Sequence, residues 1–250
     1  MAPGGLSDAQ LASYHRDGYL VLRGAFAPAE CDRYREHVEE LRRSAVSGAA
    51  TIDGFSVDDL YHRTHNQHLY DPECMAWLIH PALRAPLESI CGGEVEAIQT
   101  MHFFQGSEHR RHQDQYYLPD TFAAWIPFED VDERNGTIFV EPGSHRGRLI
   151  TPEEVPWPEG MERRAQQLDM YFPAVEALSR ENGIEPVLVE IAKGDVCLFH
   201  GRLIHGGAQP LERGSSRHAL ACHYIPRAST AWRRKDPRIA FDGSRRVTGP

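Results

Sequence analysis

A His-x-Asp triplet and two later residues have the clearest chemical meaning in this chain. The triplet is His112-Gln113-Asp114, and the later residues are His205 and Arg217. Two imidazoles and one carboxylate can occupy one face of an octahedral ferrous ion and leave three positions open, which oxygen activation requires. The residue types therefore predict a mononuclear iron site, on condition that the fold brings these side chains together.

The triplet is weak evidence by itself, because the chain contains a second one, His15-Arg16-Asp17. That second triplet lies at the end of a predicted helix, where residues two apart point to nearly opposite sides. His112 and Asp114 lie in a strand-rich region, and in an extended chain residues i and i+2 project to the same face. Only His112 and Asp114 are therefore expected to share a metal ion.

The third ligand is expected from a strand that lies next to the triplet in space, and two histidines compete for this role. His200 and His205 both follow the predicted strand segment 194–199, so spacing does not separate them. His205 is preferred because Gly206 and Gly207 follow it, and glycine lets the backbone approach a metal centre closely.

Arg217 is a candidate anchor for an acid that binds the metal. A 2-oxo acid that chelates iron through its keto and carboxylate oxygens has a second carboxylate to hold. A guanidinium group binds that carboxylate through two parallel hydrogen bonds, which lysine cannot reproduce. Arg217 begins a predicted strand, whose alternation places Arg217, Ala219, Ala221 and His223 on one side.

Several helices and short strands are predicted to position these residues. Ser7 and Gly18 are typical of the start and stop of a helix that runs to about His15. Further helices are predicted near 28–43, 81–90 and 164–182. Short β-branched or aromatic runs separated by turn residues indicate strands. The predicted strands are 19–23, 95–104, 122–128, 137–140, 186–191, 196–199 and 219–225.

This order of elements predicts a protein that is mainly β, an antiparallel sandwich or barrel with flanking helices. We expect one domain over 1–250, with a mostly helical flank at 1–93 and a β core at 94–226. An insertion at about 148–185 interrupts the core, and insertions of this length usually cover a site or an edge. The basic tail 227–250 is expected to be solvated.

Composition limits the partners of the chain. The 27 Lys and Arg against 36 Asp and Glu give a formal charge of −9, which does not favour nucleic acid. No apolar run approaches the roughly 20 residues of a membrane helix, and the first residues lack a secretory signal. The five cysteines are scattered and are expected to be reduced. We therefore expect a cytoplasmic protein with a small-molecule substrate and without nucleic-acid or membrane partners, whose oligomeric state stays open.

An ordered set of short motifs runs through nearly the whole chain. These motifs are Gly18-Tyr19, His112-Gln113-Asp114-Gln115-Tyr116-Tyr117, Ala124-Trp125, Asn135-Gly136 with Pro142-Gly143-Ser144-His145, Gly194-Asp195, Phe199-His200, Leu203-Ile204-His205-Gly206, and Arg217 with Cys222-His223-Tyr224. Together they resemble the phytanoyl-CoA dioxygenase family of Fe(II)- and 2-oxoglutarate-dependent dioxygenases.

The resemblance implies a double-stranded β-helix core, which is a jelly roll of the cupin type. It implies Fe(II) bound by His112, Asp114 and His205, with 2-oxoglutarate held by Arg217 and O₂ as a further cosubstrate. It also implies a set of residues that line the cosubstrate, namely Met101, Gln113 and Trp125. The chain departs from the family at Gly207, where a serine is common, and Arg63 is a candidate for a basic residue that holds the cosubstrate in some relatives.

The resemblance also bears on the reaction. Halogenating relatives have Gly or Ala in place of the metal carboxylate, so Asp114 favours hydroxylation, desaturation or ring closure of a small molecule, a specialised metabolite for example. One alternative is an acyl-CoA or carrier-tethered acyl substrate. Another, from a different class, is a non-oxidative cupin-like metalloprotein or an inactive relative that only binds a ligand. The candidate substrate-wall residues are Tyr61, His65, His102, Tyr116 and Tyr117, with Trp157, Tyr171 and Phe172 of the insertion.

Overall fold

The computed structural model describes residues 4–47, 55–57 and 62–249. Six α-helices lie in these ranges: α1 (Asp8–Asp17), α2 (Pro28–Ser47), α3 (Pro72–Leu78), α4 (Pro81–Cys91), α5 (Arg163–Gln166) and α6 (Phe172–Asn182). A π-helical turn, Gln167–Tyr171, joins α5 to α6. The helices of these ranges lack the combination of length and apolar character that a membrane crossing demands.

The described ranges contain eleven strands, several of them short. They are β1 (Tyr19–Leu22), β2 (Val95–Gln105), β3 (His109–His112), β4 (Phe122–Pro127), β5 (Ile138–Val140), β6 (Val187–Leu188), β7 (Val196–His200), β8 (His205–Gly207), β9 (Ser216–Pro226), β10 (Arg238–Ile239) and β11 (Arg245–Arg246). One sheet has seven strands in the order β1-β7-β4-β9-β2-β10-β11, and the other has four in the order β3-β8-β5-β6. The strand pairs are antiparallel.

Local sequence determines where α1 begins and where it ends, directly before the first strand of the sheet. Ser7 caps α1 in a reciprocal capping box with Gln10, and Gly18 ends the helix in the left-handed conformation at φ 81°. Both signals were predicted from the sequence and are confirmed. A side chain at Gly18 would also collide with the ring of His145, so glycine is needed there for space as well as for conformation.

The larger sheet has two buried faces, and strand alternation decides which residue lies on which. In β4, Ala124 and Ile126 pack in a core shared with the helices, together with Tyr34 and Trp77. Ala123 and Trp125 lie in a second core on the opposite face, with residues of the smaller sheet such as Ile138. The prediction of a mainly β protein with flanking helices is confirmed, and the two facing sheets are consistent with a jelly roll.

Three regions differ from the sequence predictions. The strand predicted at 186–191 is limited to β6, and α3 was not predicted. The tail does not lie free in solvent, because β10 pairs with β2 and Arg238 is only 1% exposed. The Arg238 guanidinium pairs with Glu96 and donates to the carbonyls of Pro226, Arg227 and Ser229. A buried charge needs such partners, and Glu96, the partner of opposite charge, lies too far away in sequence for a local pattern to reveal it.

Candidate metal centre

The two sheets bring the predicted ligand residues together at the end of β3. His112, the last residue of β3, is directly opposite His205, the first residue of β8, and their ring centroids lie 4.2 Å apart. Gln113 is extended, with φ −123° and ψ 120°, before Asp114 begins a short 3₁₀ turn. The possible ligand atoms of His112, Asp114 and His205 all lie within 4.8 Å of one another, which suits a single metal ion.

Both histidines present the same ring nitrogen to this point. The Nδ1 atom of His112 lies 2.9 Å from the carbonyl oxygen of Arg110, and Nδ1 of His205 lies 2.9 Å from that of Leu203. A carbonyl only accepts, so each Nδ1 carries the proton and each Nε2 keeps a lone pair for a metal. Burial, reinforced by the neighbouring His205, lowers the pKa of His112 to about 3, which keeps it neutral near pH 7.

The carboxylate of Asp114 lies among three imidazoles. Its Oδ1 atom is 3.6 Å from Nε2 of His112 and 3.8 Å from Nε2 of His205, whereas Oδ2 is 3.2 Å from Nε2 of His223. Burial by itself would raise the pKa of Asp114, but His205, His223 and His112 together hold it below its ordinary value. The carboxylate therefore stays ionised, as a metal ligand must be.

The alternative candidates, His200 and the second His-x-Asp triplet, lie away from this cluster of ligand atoms. The Nδ1 atom of His200 accepts a hydrogen bond from the backbone N–H of Arg202, and the ring lies against His145 rather than beside the triplet. In the other triplet, Asp17 pairs with Arg16 at the end of α1. Of the two histidines that spacing left open, the pairing of β3 with β8 brings His205 to His112 and Asp114.

A cavity opens from the ligand residues between the two sheets. Met101, Trp125 and Arg217, which the resemblance assigns to the cosubstrate, are among its lining residues, and Arg63 also lies in its wall. Further lining residues were not among the candidate site residues predicted from the sequence. They include Phe103, Ser107, His109, Phe199 and His223. Alternation along β2 could have identified Phe103, which shares a face with Met101, and alternation along the strand of Arg217 had already placed His223 on the same side as Arg217.

Arg217 is a buried cation at the wall of this cavity. Its side chain donates to the carbonyls of Gly136 and Gln105, at 2.9 and 3.1 Å, and lies over the rings of Phe103 and Trp125. Its Nε atom is buried without a hydrogen-bond partner in the described part of the chain. Burial lowers the pKa of Arg217 to about 10, so the group is still charged at neutral pH. A carboxylate in the cavity would satisfy both the charge and the unused donor.

Gln113 requires a correction, because its side chain does not line the cavity. Its Nε2 donates to the carbonyls of Arg148 and Arg202, and its Oε1 accepts from the N–H of Ile150. The strand alternation that turns His112 and Asp114 toward the cavity turns Gln113 away from it. Gln113 therefore connects the ligand segment to the insertion and to the loop that precedes His205.

The residues proposed for the substrate wall lie outside the cavity lining wherever the structure describes them. His102 is on the helix side of β2, with Nε2 3.2 Å from Nδ1 of His218, and His65 is exposed. Tyr116 and Tyr117 pack on Tyr171 of the insertion, at ring distances of 3.9 and 5.2 Å. Tyr61 falls outside the described residues.

The aromatic residues of the insertion also have other roles. Trp157 is 47% exposed and donates to the carbonyl of Met161. Tyr171 and Phe172 are buried where the insertion contacts the ligand segment, and Phe172 lies 5.9 Å from the ring of His109. The insertion therefore supports the site from outside the cavity lining.

Sequence comparison agrees with this geometry. A family model described as phytanoyl-CoA dioxygenase (PhyH) matches residues 14–219. The Bos taurus protein named phytanoyl-CoA dioxygenase, peroxisomal, is 27% identical over 240 residues, covering 88% of this chain and 68% of the relative. The Caenorhabditis elegans protein named probable phytanoyl-CoA dioxygenase is 24% identical over 244 residues, covering 88% and 75%.

Solved structures share the fold. EctD from S. alaskensis with bound Fe matches with a TM-score of 0.68 and 21% identity, over 90% of this chain and 79% of that one. The carbocyclase SnoK from nogalamycin biosynthesis, described as non-heme and alpha ketoglutarate dependent, matches with a TM-score of 0.67 and 21% identity, over 88% and 84%. At these identities the likeness establishes the architecture and leaves the reaction to be argued from the residues.

Proposed function

The chain belongs to the phytanoyl-CoA dioxygenase family, and from that premise we propose that it is an Fe(II)- and 2-oxoglutarate-dependent oxygenase of a small molecule. The observation that carries the proposal is the cluster of ligand atoms from His112, Asp114 and His205 within 4.8 Å. The protonation of both histidines at Nδ1 supports it further, because each Nε2 is then available to the metal.

The residues of the cavity have complementary roles in this proposal. When iron, 2-oxoglutarate and O₂ are bound, they supply the oxidation of a carbon–hydrogen bond, coupled to decarboxylation of the keto acid to succinate. His112, Asp114 and His205 would hold the iron, which needs two imidazoles and one carboxylate for this chemistry. Arg217 binds the distal carboxylate of 2-oxoglutarate, where its unused Nε and its charge require an anion.

The apolar wall keeps water away from the reacting groups. Met101, Phe103 and Trp125 line the cavity beside Arg217, so the ion pair of guanidinium and carboxylate forms in a region of low dielectric constant. Exclusion of water also protects a reactive oxidant from side reactions.

The residues of the site also indicate a reaction type and a broad class of substrate. Asp114 favours hydroxylation, or desaturation or ring closure from the same hydrogen abstraction, over halogenation. The cavity wall beyond the ligands combines the aromatic rings of Phe103 and Phe199 with His109, which suits a small substrate that has a carbon face and a polar group. An acyl-CoA substrate, as in the name of the Bos taurus relative, is the second candidate.

Anaerobic addition of Fe(II) and 2-oxoglutarate to the purified chain tests the proposal. We expect a weak visible charge-transfer band, and we expect Asp114→Ala to lose both the band and the release of succinate. Asp17→Ala is the matched control, because it removes the carboxylate of the other His-x-Asp triplet. Wild-type protein without the band would overturn the oxygenase proposal and favour a non-oxidative metalloprotein or an inactive relative.

A further inference from the structure

Among the contacts between the insertion and the ligand segment, one hydroxyl group reaches the backbone between His112 and Asp114. Tyr171 is the last residue of the π-helical turn, and its side chain is fully buried. The Tyr171 hydroxyl accepts a hydrogen bond from the backbone N–H of Gln113 and donates one to the carbonyl of the same residue, each at 2.9 Å. Gln113 is the residue between the metal ligands His112 and Asp114, so this hydroxyl binds the backbone that separates the two.

From this geometry we infer that Tyr171 is a positioning residue for the metal ligands. Through the Tyr171 hydroxyl, the insertion affects how tightly the site binds the metal. The inference rests on the proposed iron site. His112 and Asp114 share a face only while Gln113 keeps its extended conformation, with φ −123° and ψ 120°. The two hydrogen bonds from Tyr171 hold both polar groups of that residue, so a rotation of either neighbouring peptide breaks at least one of them.

The ring of Tyr171 is itself held in place. It stacks on Tyr116 with ring centroids 3.9 Å apart and packs against Tyr117 at 5.2 Å. Burial raises the pKa of Tyr171 well above its ordinary value, so the hydroxyl keeps the proton that it donates to Gln113. A π-helical turn places the residue, and such irregular turns occur frequently at functional sites.

A second contact from the insertion holds the preceding strand. Arg110 of β3 pairs with Glu176 of α6 at 2.7 Å, and its guanidinium lies over the ring of Phe172. Both groups of this ion pair are about one-third exposed, so it orients the strand more than it stabilises the fold. The insertion therefore holds the ligand segment at two points, on either side of His112.

Tyr116 offers a matched control for Tyr171. Its hydroxyl also lies in the aromatic stack and also makes two hydrogen bonds, donating to the carbonyl of Val155 and accepting from Nε2 of Gln166. Neither partner is in the ligand segment. Tyr116→Phe thus loosens the insertion but keeps the backbone N–H of Tyr116, which donates to the carbonyl of Gln113 at 3.1 Å. Tyr171→Phe removes one oxygen atom and takes the hydroxyl away from both backbone groups of Gln113.

The test measures metal affinity directly, by titration with Co(II) followed by its visible absorption, with thermal unfolding recorded in parallel. We expect Tyr171→Phe to raise the dissociation constant about tenfold or more, as loss of support behind metal ligands commonly does. Tyr116→Phe is expected to stay within about twofold of wild type, although both variants lower the unfolding midpoint. Equal affinities for wild type and Tyr171→Phe, or equal losses in the two variants, would overturn the inference.

A measurement on the unaltered chain covers the case in which Tyr171→Phe does not fold. Co(II) is expected to slow hydrogen exchange both in peptides from 107–117 and in peptides from 163–182, because the Tyr171 hydroxyl, together with the Arg110–Glu176 ion pair, couples the two segments. Protection confined to 107–117 would refute the coupling. Wild-type protein that binds no divalent metal would instead refute the proposed function, and the inference with it.

Discussion

The Nε2 atom of His223 lies 3.2 Å from Oδ2 of Asp114, while Oδ1 of the same carboxylate faces His112 and His205. An ionised carboxylate only accepts hydrogen bonds, so Nε2 of His223 carries the proton. The buried Nδ1 of His223 has no hydrogen-bond partner in the described part of the chain. Among the described residues, Asp114 is therefore the one hydrogen-bond partner of this ring, and His223 orients the carboxylate that we assign to the metal.

We predict that His223→Leu weakens metal binding by about ten- to a hundredfold, because Asp114 loses the donor that orients it. His223→Gln retains an N–H donor and is expected to keep more of the affinity. Titration of the apoprotein with Fe(II) under anaerobic conditions, or with Co(II), measures both. An affinity of His223→Leu equal to that of wild type would exclude this role.

We predict that Arg217→Lys weakens 2-oxoglutarate binding by at least about tenfold and leaves metal affinity nearly unchanged. Lysine keeps the charge but loses the planar pair of donors, and the carbonyls of Gly136 and Gln105 lose their present partners. The charge-transfer band, titrated with 2-oxoglutarate at saturating Fe(II), gives the dissociation constant. Arg213→Lys, at an exposed position in the loop before β9, is the control. Equal losses in the two variants would remove Arg217 from the cosubstrate site.

Gly207 is predicted to be required by the close approach of the two strands. A Cβ atom there would lie 2.6 Å from the carbonyl oxygen of Ser107, in the turn that leads into β3. Gly207→Ser, which introduces the residue common in the family, is therefore expected to destabilise the fold by about 1–3 kcal/mol. It is also expected to displace His112 and to weaken metal binding.

Denaturant unfolding and metal titration of Gly207→Ser check both parts of that prediction. Gly93→Ser is the control, because a Cβ atom at Gly93 would meet nothing within 4 Å. A Gly207→Ser variant that binds metal and 2-oxoglutarate better than wild type would show that the two strands can separate, and the prediction would then be wrong.

The pH dependence of stability is predicted to include a contribution from His68. Burial lowers its pKa from 6.5 to about 4, and its Nδ1 lies 2.9 Å from Oγ1 of Thr100. Between these two pKa values the unfolded chain binds the proton that the folded chain does not, so stability falls as the pH falls from about 6.5 to 4. The full effect is about 3 kcal/mol.

His68→Gln removes this titration and serves as the comparison. We expect the free energy of unfolding to decrease less between pH 7 and pH 4.5 in His68→Gln than in wild type, as measured by urea denaturation. Other buried histidines, such as His200, contribute in the same direction in both proteins, so the difference between the two curves isolates His68. Parallel curves would show that His68 keeps an ordinary pKa.

Local sequence was sufficient to predict most of the helices and strands and part of the candidate site. The capping residues Ser7 and Gly18 mark the ends of α1, and the alternation of β9 places Arg217 and His223 on one face. The same reasoning, applied to β2, would have assigned His102 to the helix side, because Met101 faces the cavity. The two-residue alternation of β2 therefore contained enough information to exclude His102 from the cavity wall.

Other features could not be predicted because their partners lie far away in sequence. Gln113 binds groups that are 35, 89 and 58 residues away, at Arg148, Arg202 and Tyr171. The tail packs because Glu96 receives Arg238 across the sheet. No repeating pattern in the sequence marks these contacts, because each depends on how segments that are distant in sequence pack together.

The sequence by itself determined the kinds of ligand atom, the face of the strand that bears His112 and Asp114, and the family to which the chain belongs. These follow from side-chain chemistry and from the two-residue period of an extended chain, which are local properties. Only the tertiary structure decided that His205 and not His200 completes the cluster, and that Tyr171 supports it. Both depend on the antiparallel pairing of β3 with β8 and on the packing of the insertion against β3, and these long-range contacts follow from burial across the whole chain.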